Sequence, residues 1–110
     1  MNSAQANERY VVGVDFGPES GRAVVVRASD GAELAGSVCP YQHGVIDRAL
    51  PESDHPLPPE WALQDPDDYI AVLRTAVPRA VEESGVDSSS VVGIGIDFTS
   101  CTMLPTTADG

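Results

Sequence analysis

Tyr10 to Arg27, YVVGVDFGPESGRAVVVR, sets two apolar runs on either side of a short loop that holds two glycines, two acids and a serine. Val11, Val12 and Val14 are β-branched and suit a buried strand, and Val24 to Val26 repeat the pattern. Gly17 and Gly21 give the turn between the runs access to backbone angles that side chains oppose. The stretch reads as strand, turn, strand. Asp15 stands where the first strand stops, so its carboxylate is expected at the open end of a sheet, where an acid can hold a hydrated Mg²⁺. The N–H groups of Phe16 to Gly21, with the Ser20 hydroxyl, could close around an anion as a nest. Asp-Phe-Gly and Glu-Ser-Gly equally suit ordinary turn chemistry, and the hairpin alone does not choose between the two.

Composition bounds the answer. At 110 residues, 42% hydrophobic and 5% aromatic, the chain has room for one small globular unit with a core. No apolar run approaches the ~20 residues that span a bilayer, and Met1 to Arg9 is polar, so neither a membrane segment nor a signal peptide is expected and a cytoplasmic location is. Seventeen acids against six basic residues, all arginine, give a net charge of -11. That balance repels nucleic-acid backbones and offers no basic stripe to bind them. A bound phosphate would therefore depend on backbone N–H groups, metal or the few arginines. Cys39 and Cys101 lie far apart in no C-x-x-C or Cys/His cluster, which excludes the usual zinc and thiol-redox motifs and leaves them as inert buried thiols.

Taken in order, residues 1–9 read as a flexible tail ahead of the first two strands. Ser29-Asp30-Gly31 is a turn, and Ala32 to Pro40 a third strand whose terminal proline predicts an edge position, completing an antiparallel meander. Tyr41 to Glu60, with four prolines and both histidines, is a long loop in which His43 and His55 are expected to be exposed and without partners. Helix signals follow: Asp65 as N-cap, Pro66 at the first position, Asp67 and Asp68 in the first turn, and Gly85 after the last. Tyr69, Leu73, Ala76, Val77, Ala80 and Val81 form the expected sheet-packing face, with a kink at Pro78.

Val91 to Phe98, VVGIGIDF, is a continuous apolar run of the kind buried on both faces of a sheet. Its Ile94-Gly95-Ile96-Asp97-Phe98 repeats Val12-Gly13-Val14-Asp15-Phe16. A helix between the meander and this run makes a crossover, so the new strand should lie parallel to the first and bring Asp97 to the edge that holds Asp15. Ligands of open α/β sheets collect at such strand ends. Cys101 to Pro105 reads as a further strand and Ala108-Asp109-Gly110 as a hairpin turn.

Three motifs in this order resemble those of the FGGY carbohydrate kinases. Asp15-Phe16-Gly17 with Ser20 and Arg22 resembles their D-x-G-T-x-S-x-R opening. Trp61, Gln64-Asp65-Pro66 and Tyr69 resemble a W-x-E-Q-D-P segment, and Gly93 to Leu104 resembles the strand and hairpin that line the sugar site. Pro18 stands where the family has threonine, and Leu63 where many members have glutamate.

The resemblance implies an α/β fold of the actin-like ATPase (ribonuclease H-like) type, with residues 10–110 as the N-terminal portion of the first kinase domain: a three-stranded antiparallel meander, a helix crossover, a parallel buried strand and the start of a hairpin. It implies transfer of the ATP γ-phosphate to a ketopentose, L-ribulose foremost, with xylulose or a related polyol as alternative, and ATP and Mg²⁺ as cofactors. The partners implied are the sugar and ATP, with neither nucleic acid nor membrane, and a homo-oligomer of the complete protein is compatible with this. Carried over by position, Asp15 would hold Mg²⁺ through water, Gly17, Ser20, Gly21 and Arg22 would join it in binding the ATP phosphates, and Asp97, Thr99 and Ser100 would lie at the sugar. The general base is expected beyond residue 110. The competing classes are a nuclease of the ribonuclease H type, which needs a basic groove, and a noncatalytic sugar or nucleotide-binding module.

Overall fold

The computed structural model describes residues 7–99 and 103–110. Strands β1 (Tyr10–Phe16), β2 (Ser20–Arg27) and β3 (Glu33–Pro40) form the expected meander. After short strands β4 (Val45–Ile46) and β5 (Leu63–Gln64), helix α1 (Pro66–Ser84) and a single 3₁₀ turn at Ser88–Ser90 lead into β6 (Val91–Phe98). The sheet order is β3-β2-β1-β6, so β3 is an edge strand, as its terminal proline predicts. β6 runs parallel to β1 in the register Val12↔Ile94, Val14↔Ile96, Asp15↔Asp97, Phe16↔Phe98, so the repeated pentapeptides lie side by side.

Local chemistry sets the ends of α1. The Asp65 carboxylate accepts from the Asp67 N–H at 2.9 Å, Pro66 takes a position that needs no donor, and Gly85 adopts φ 72° while its N–H donates to the Glu82 carbonyl. The helix runs unbroken through Pro78. Its buried stripe differs from the expected one. Asp68, Val72, Ala76 and Ala80 face the sheet, Tyr69, Val77 and Val81 flank them, and Leu73 is 39% exposed. Gly21 explains the rotation: a Cβ there would lie 2.3 Å from Val72 Cγ2, so the helix makes its closest approach where β2 has no side chain. Gly21 and Gly17 both lack a positive φ, so Gly21 serves this close contact rather than an unusual turn angle.

The core joins Val12, Val14, Phe16, Ala23 and Val25 of the sheet to Val72, Ala76 and Ala80 of the helix. α1 lies chiefly over β2 and β3. That placement overturns the expectation for β6. Val92, Ile94, Ile96 and Phe98 are 53–59% exposed, because no described helix covers them and β6 is the other edge of the sheet. Met103 to Pro105 forms no strand, Cys101 and Thr102 lie outside the described residues, and Ala108-Asp109 is a turn closed by Gly110 N–H to the Thr107 carbonyl.

The long loop is more structured than its prolines suggest. β4 pairs with β5, Ala49 bridges Pro56, and the loop's start is pinned to α1 by Asp68. That carboxylate is 4% exposed and accepts N–H groups from Gln42, His43 and Gly44 at 3.1, 3.3 and 3.2 Å. Three donors offset the cost of burying its charge. His43 is not isolated: its Nδ1 lies 3.0 Å from Asp65 Oδ2, though without hydrogen-bond geometry, whereas His55 is exposed as expected.

Candidate active site at paired strand ends

Side chains alternate along each strand, so the residues between the buried ones point away from α1. On that uncovered face Gly13, Asp15, Arg22, Val24, Gly95 and Asp97 line an open groove of about 340 Å³. Gly13 and Gly95 are register partners and leave its floor without side chains, so a ligand can approach the backbone closely. Asp15 is the register partner of Arg22 on one side and of Asp97 on the other. Both carboxylates are exposed, and among the described residues no ion pair joins either of them to Arg22. Asp97 Oδ1 accepts from the Phe98 N–H at 2.9 Å.

The structure therefore brings Asp15, Arg22 and Asp97 together. Among the described residues no group of three or more His, Cys, Asp or Glu is arranged to hold a metal ion. Two carboxylates on one edge are a donor set for a hard cation that keeps most of its water, as Mg²⁺ does, rather than for a cage of protein ligands.

The turn between β1 and β2 departs from the nest expected of it. The Gly17 N–H donates to the Ser20 carbonyl at 2.9 Å and Pro18 has no N–H, so the remaining donors are those of Glu19 and of Ser20, the first residue of β2. The turn is instead fastened by its carbonyls. Tyr41 N–H donates to Glu19 O at 3.0 Å, and Gln64 Nε2 donates to Pro18 O at 3.1 Å. Glu19 also rests on Gly44, where a Cβ would meet its Oε2 at 2.2 Å. Gly21 faces Val72 from the buried side of the sheet, apart from Arg22 on the groove side.

Thr99 Oγ1 donates to the Phe16 carbonyl at 3.1 Å, tying the end of β6 to the end of β1. Thr99 also borders two clefts, one of about 330 Å³ with Pro18, Leu63 and Gln64, the other of about 210 Å³ with Phe16, Tyr69 and Phe98. Ser100 lies outside the described residues. The clefts open beside an aromatic series. Phe98 stacks on Phe16 at 6.1 Å, Tyr69 meets Phe16 edge-on at 5.3 Å, and Tyr41 meets Tyr69 at 5.8 Å. Burial, reinforced by Tyr69, Asp68 and Asp15, pushes the Tyr41 phenol up to about 12, and burial raises Tyr69 in the same direction.

Residue reasoning placed Asp15 and Asp97 but missed Asp68 as a buried anchor and His43 as its neighbour. The only local sign was an acid doublet at a helix start, which also describes two solvated residues.

A mixed sheet in which a helical crossover returns a parallel strand beside the opening hairpin, with acids at matching strand ends, defines an α/β unit compatible with the N-terminal domain of a sugar kinase. Comparison with known proteins narrows that class. The chain is 59% identical over 98 residues to the ribulokinase of Shouchella clausii, covering 89% of the chain and 18% of that protein. It is 58% identical over 103 residues to that of Geobacillus thermodenitrificans (94% and 18%) and 55% identical over 105 residues to that of Mycolicibacterium smegmatis (93% and 18%). No protein-family model matches. The chain is thus similar to an N-terminal part of these ribulokinases, and it spans less than a fifth of their length.

Proposed function

We propose that this chain supplies part of the phosphate and sugar sites of an ATP-dependent kinase that phosphorylates a ketopentose, L-ribulose foremost, in the cytoplasm. Residues 10–110 form the beginning of its first actin-like domain. The observation that carries the reading is the adjacency of Asp15 and Asp97 above a glycine floor, in a chain more than half identical to several ribulokinases over nine-tenths of its length. In support, no helix among the described residues is long and apolar enough to cross a membrane, and the charge of -11 disfavours a nuclease.

When bound, Mg²⁺ supplies charge neutralisation of the phosphoryl group in transfer. Asp15 would hold the ion through water; Arg22 lies beside Asp15 as a cation for phosphate oxygens; the Ser20 hydroxyl and the N–H groups of Glu19 and Ser20 would donate to those oxygens. Pro18, standing in place of threonine, removes one hydroxyl and one N–H from that set. Asp97 contacts the sugar, a role proposed for Ser100 as well, and Thr99 ties the end of β6 to the end of β1 through its bond to Phe16. The proton of the attacking hydroxyl passes to a base outside this chain.

The test is ADP release by the complete protein that bears this segment, with ATP, Mg²⁺ and L-ribulose, xylulose or related polyols. Release that depends on L-ribulose and on Mg²⁺ is expected. Tight sugar or nucleotide binding without turnover on any of these substrates would make it a noncatalytic binding module.

A further inference from the structure

The phosphate-side turn is bound to the rest of the molecule by a side chain whose own orientation is dictated by its neighbours. Gln64 sits at the end of β5, next to the N-cap of α1. Its Nε2 donates to the Pro18 carbonyl at 3.1 Å, and its Oε1 accepts from the Tyr69 hydroxyl. A carbonyl can only accept, so the amide must turn its NH₂ towards Pro18, which leaves its oxygen for the phenol. Tyr69 is in turn held edge-on between Phe16 and Tyr41. The result is a two-bond relay from the first turn of α1, through Gln64, to the middle of the β1–β2 turn, 46 residues earlier in the chain. Gln64 also borders the cleft that Pro18, Leu63 and Thr99 share.

We propose that Gln64 is a positioning residue, with Tyr69 as its orienter, which fixes the Pro18-Glu19 peptide so that the Glu19 and Ser20 N–H groups hold one arrangement towards an anion. Pro18 makes such a device useful. It deprives the turn of one internal donor, and its carbonyl has a donor outside the turn. The relay's consequence for phosphoryl transfer rests on the kinase reading above, but the relay itself does not.

Hydrogen–deuterium exchange of the 110-residue chain, followed by mass spectrometry at low protein concentration, tests it. Peptides covering residues 16–21 are compared with those covering 72–84. Gln64→Met keeps the size of the side chain and removes both bonds; it should speed exchange of the turn by about fivefold, the loss of roughly one net hydrogen bond, and leave the helix unchanged. Gln64→Glu sets a carboxylate oxygen against the Pro18 carbonyl and should exceed Gln64→Met. Tyr69→Phe, which keeps the ring contacts and frees the amide to rotate, should give about a twofold increase. Equal exchange of the turn in wild type and all three variants would overturn the relay. So would an equal effect of Gln64→Met and Gln64→Glu, because that pattern reports packing rather than a required donor. Loss of sugar-kinase activity in the complete protein with an unaltered relay would instead refute the functional reading alone.

Discussion

Val12-Gly13-Val14-Asp15-Phe16 and Ile94-Gly95-Ile96-Asp97-Phe98 have the same pattern and lie in register on adjacent strands, yet they meet opposite surroundings. Val12, Val14 and Phe16 are 1, 2 and 7% exposed beneath the edge of α1, while Ile94, Ile96 and Phe98 are 59, 53 and 57% exposed beyond its reach. The pattern sets which face a side chain takes. The crossover and the close contact at Gly21 set whether anything covers that face. On the opposite face the two copies agree: each ends in an aspartate, and each leaves a glycine in the floor of the groove. The apolar side of the repeat differs between copies and builds stability; the acidic side is shared and builds the candidate site.

The largest expected effect tests the shared side. In the complete protein, Asp15→Asn should lower kcat on the order of a hundredfold or more and raise the sugar KM little, since a charge that positions metal acts mainly in the transition state. The side chain is exposed and makes no ion pair among the described residues, so the melting temperature should stay within a degree or two. Steady-state kinetics at several Mg²⁺ concentrations check this. An unchanged kcat with weaker sugar binding would move Asp15 from the phosphate to the sugar.

Next comes the covered side. Gly21→Val places a branched side chain where even a Cβ would stand 2.3 Å from Val72 Cγ2, and should destabilise the chain by about 3 kcal/mol through overpacking. Urea unfolding followed by far-ultraviolet circular dichroism measures it. A loss below about 0.5 kcal/mol would show that α1 is free to lift off β2, and that the burial of the first pentapeptide has another source.

The third prediction bears on the uncovered copy. Val92, Ile94, Ile96 and Phe98 with the free edge of β6 make an apolar strip that favours self-association of the 110-residue chain. Ile96→Lys should weaken association about tenfold in sedimentation or size-exclusion measurements and change folding stability by less than about 0.5 kcal/mol. Its register partner Val14 offers the contrast: Val14→Lys should prevent folding. Equal behaviour of the two variants would erase the difference between the copies.

These outcomes turn on how much of the molecule local sequence dictates. The meander, the helix ends and the parallel pairing of β6 are legible because each depends on neighbours in the chain: β-branched runs, Asp65 with Pro66, Gly85, and the recurrence of one pentapeptide. Asp15 and Asp97 are legible for the same reason. The exposure of β6 is not, because a continuous apolar run states what a strand can tolerate and not what packs on it. The stripe Asp68, Val72, Ala76, Ala80 is displaced from the expected one by a contact 51 residues away in sequence, between Gly21 and Val72. Asp68 is the hardest case. Its role follows from three N–H groups of a loop whose sequence is proline-rich and shows little periodicity. Gln64 stands out only through family resemblance, and Tyr69 through that and the helical periodicity; neither signal gives their bonds.

The smallest effect concerns the aromatic series that joins the covered core to the clefts. The Tyr41 hydroxyl is buried and has no hydrogen-bond partner among the described residues, and burial is the main reason its phenol is pushed from 10.0 up to about 12. A phenol with a raised folded-state value favours its protonated form in the native state. Its contribution is fully present below the unfolded value and is lost as pH rises through the folded one, here between about pH 10 and 12. Tyr69, shifted up by burial and then by Asp68, adds to the same loss. Tyr41→Phe should therefore leave stability at neutral pH unchanged or slightly higher, since it removes a hydroxyl with no hydrogen-bond partner among the described residues, and should shrink but not abolish the decline on the alkaline side. Urea midpoints for the two chains at pH 8 and pH 11 give the comparison. If Tyr41→Phe loses as much as wild type over that interval, Tyr41 ionises as freely in the fold as out of it, and the end of β3 is open to water rather than sealed by Tyr69 and Asp68.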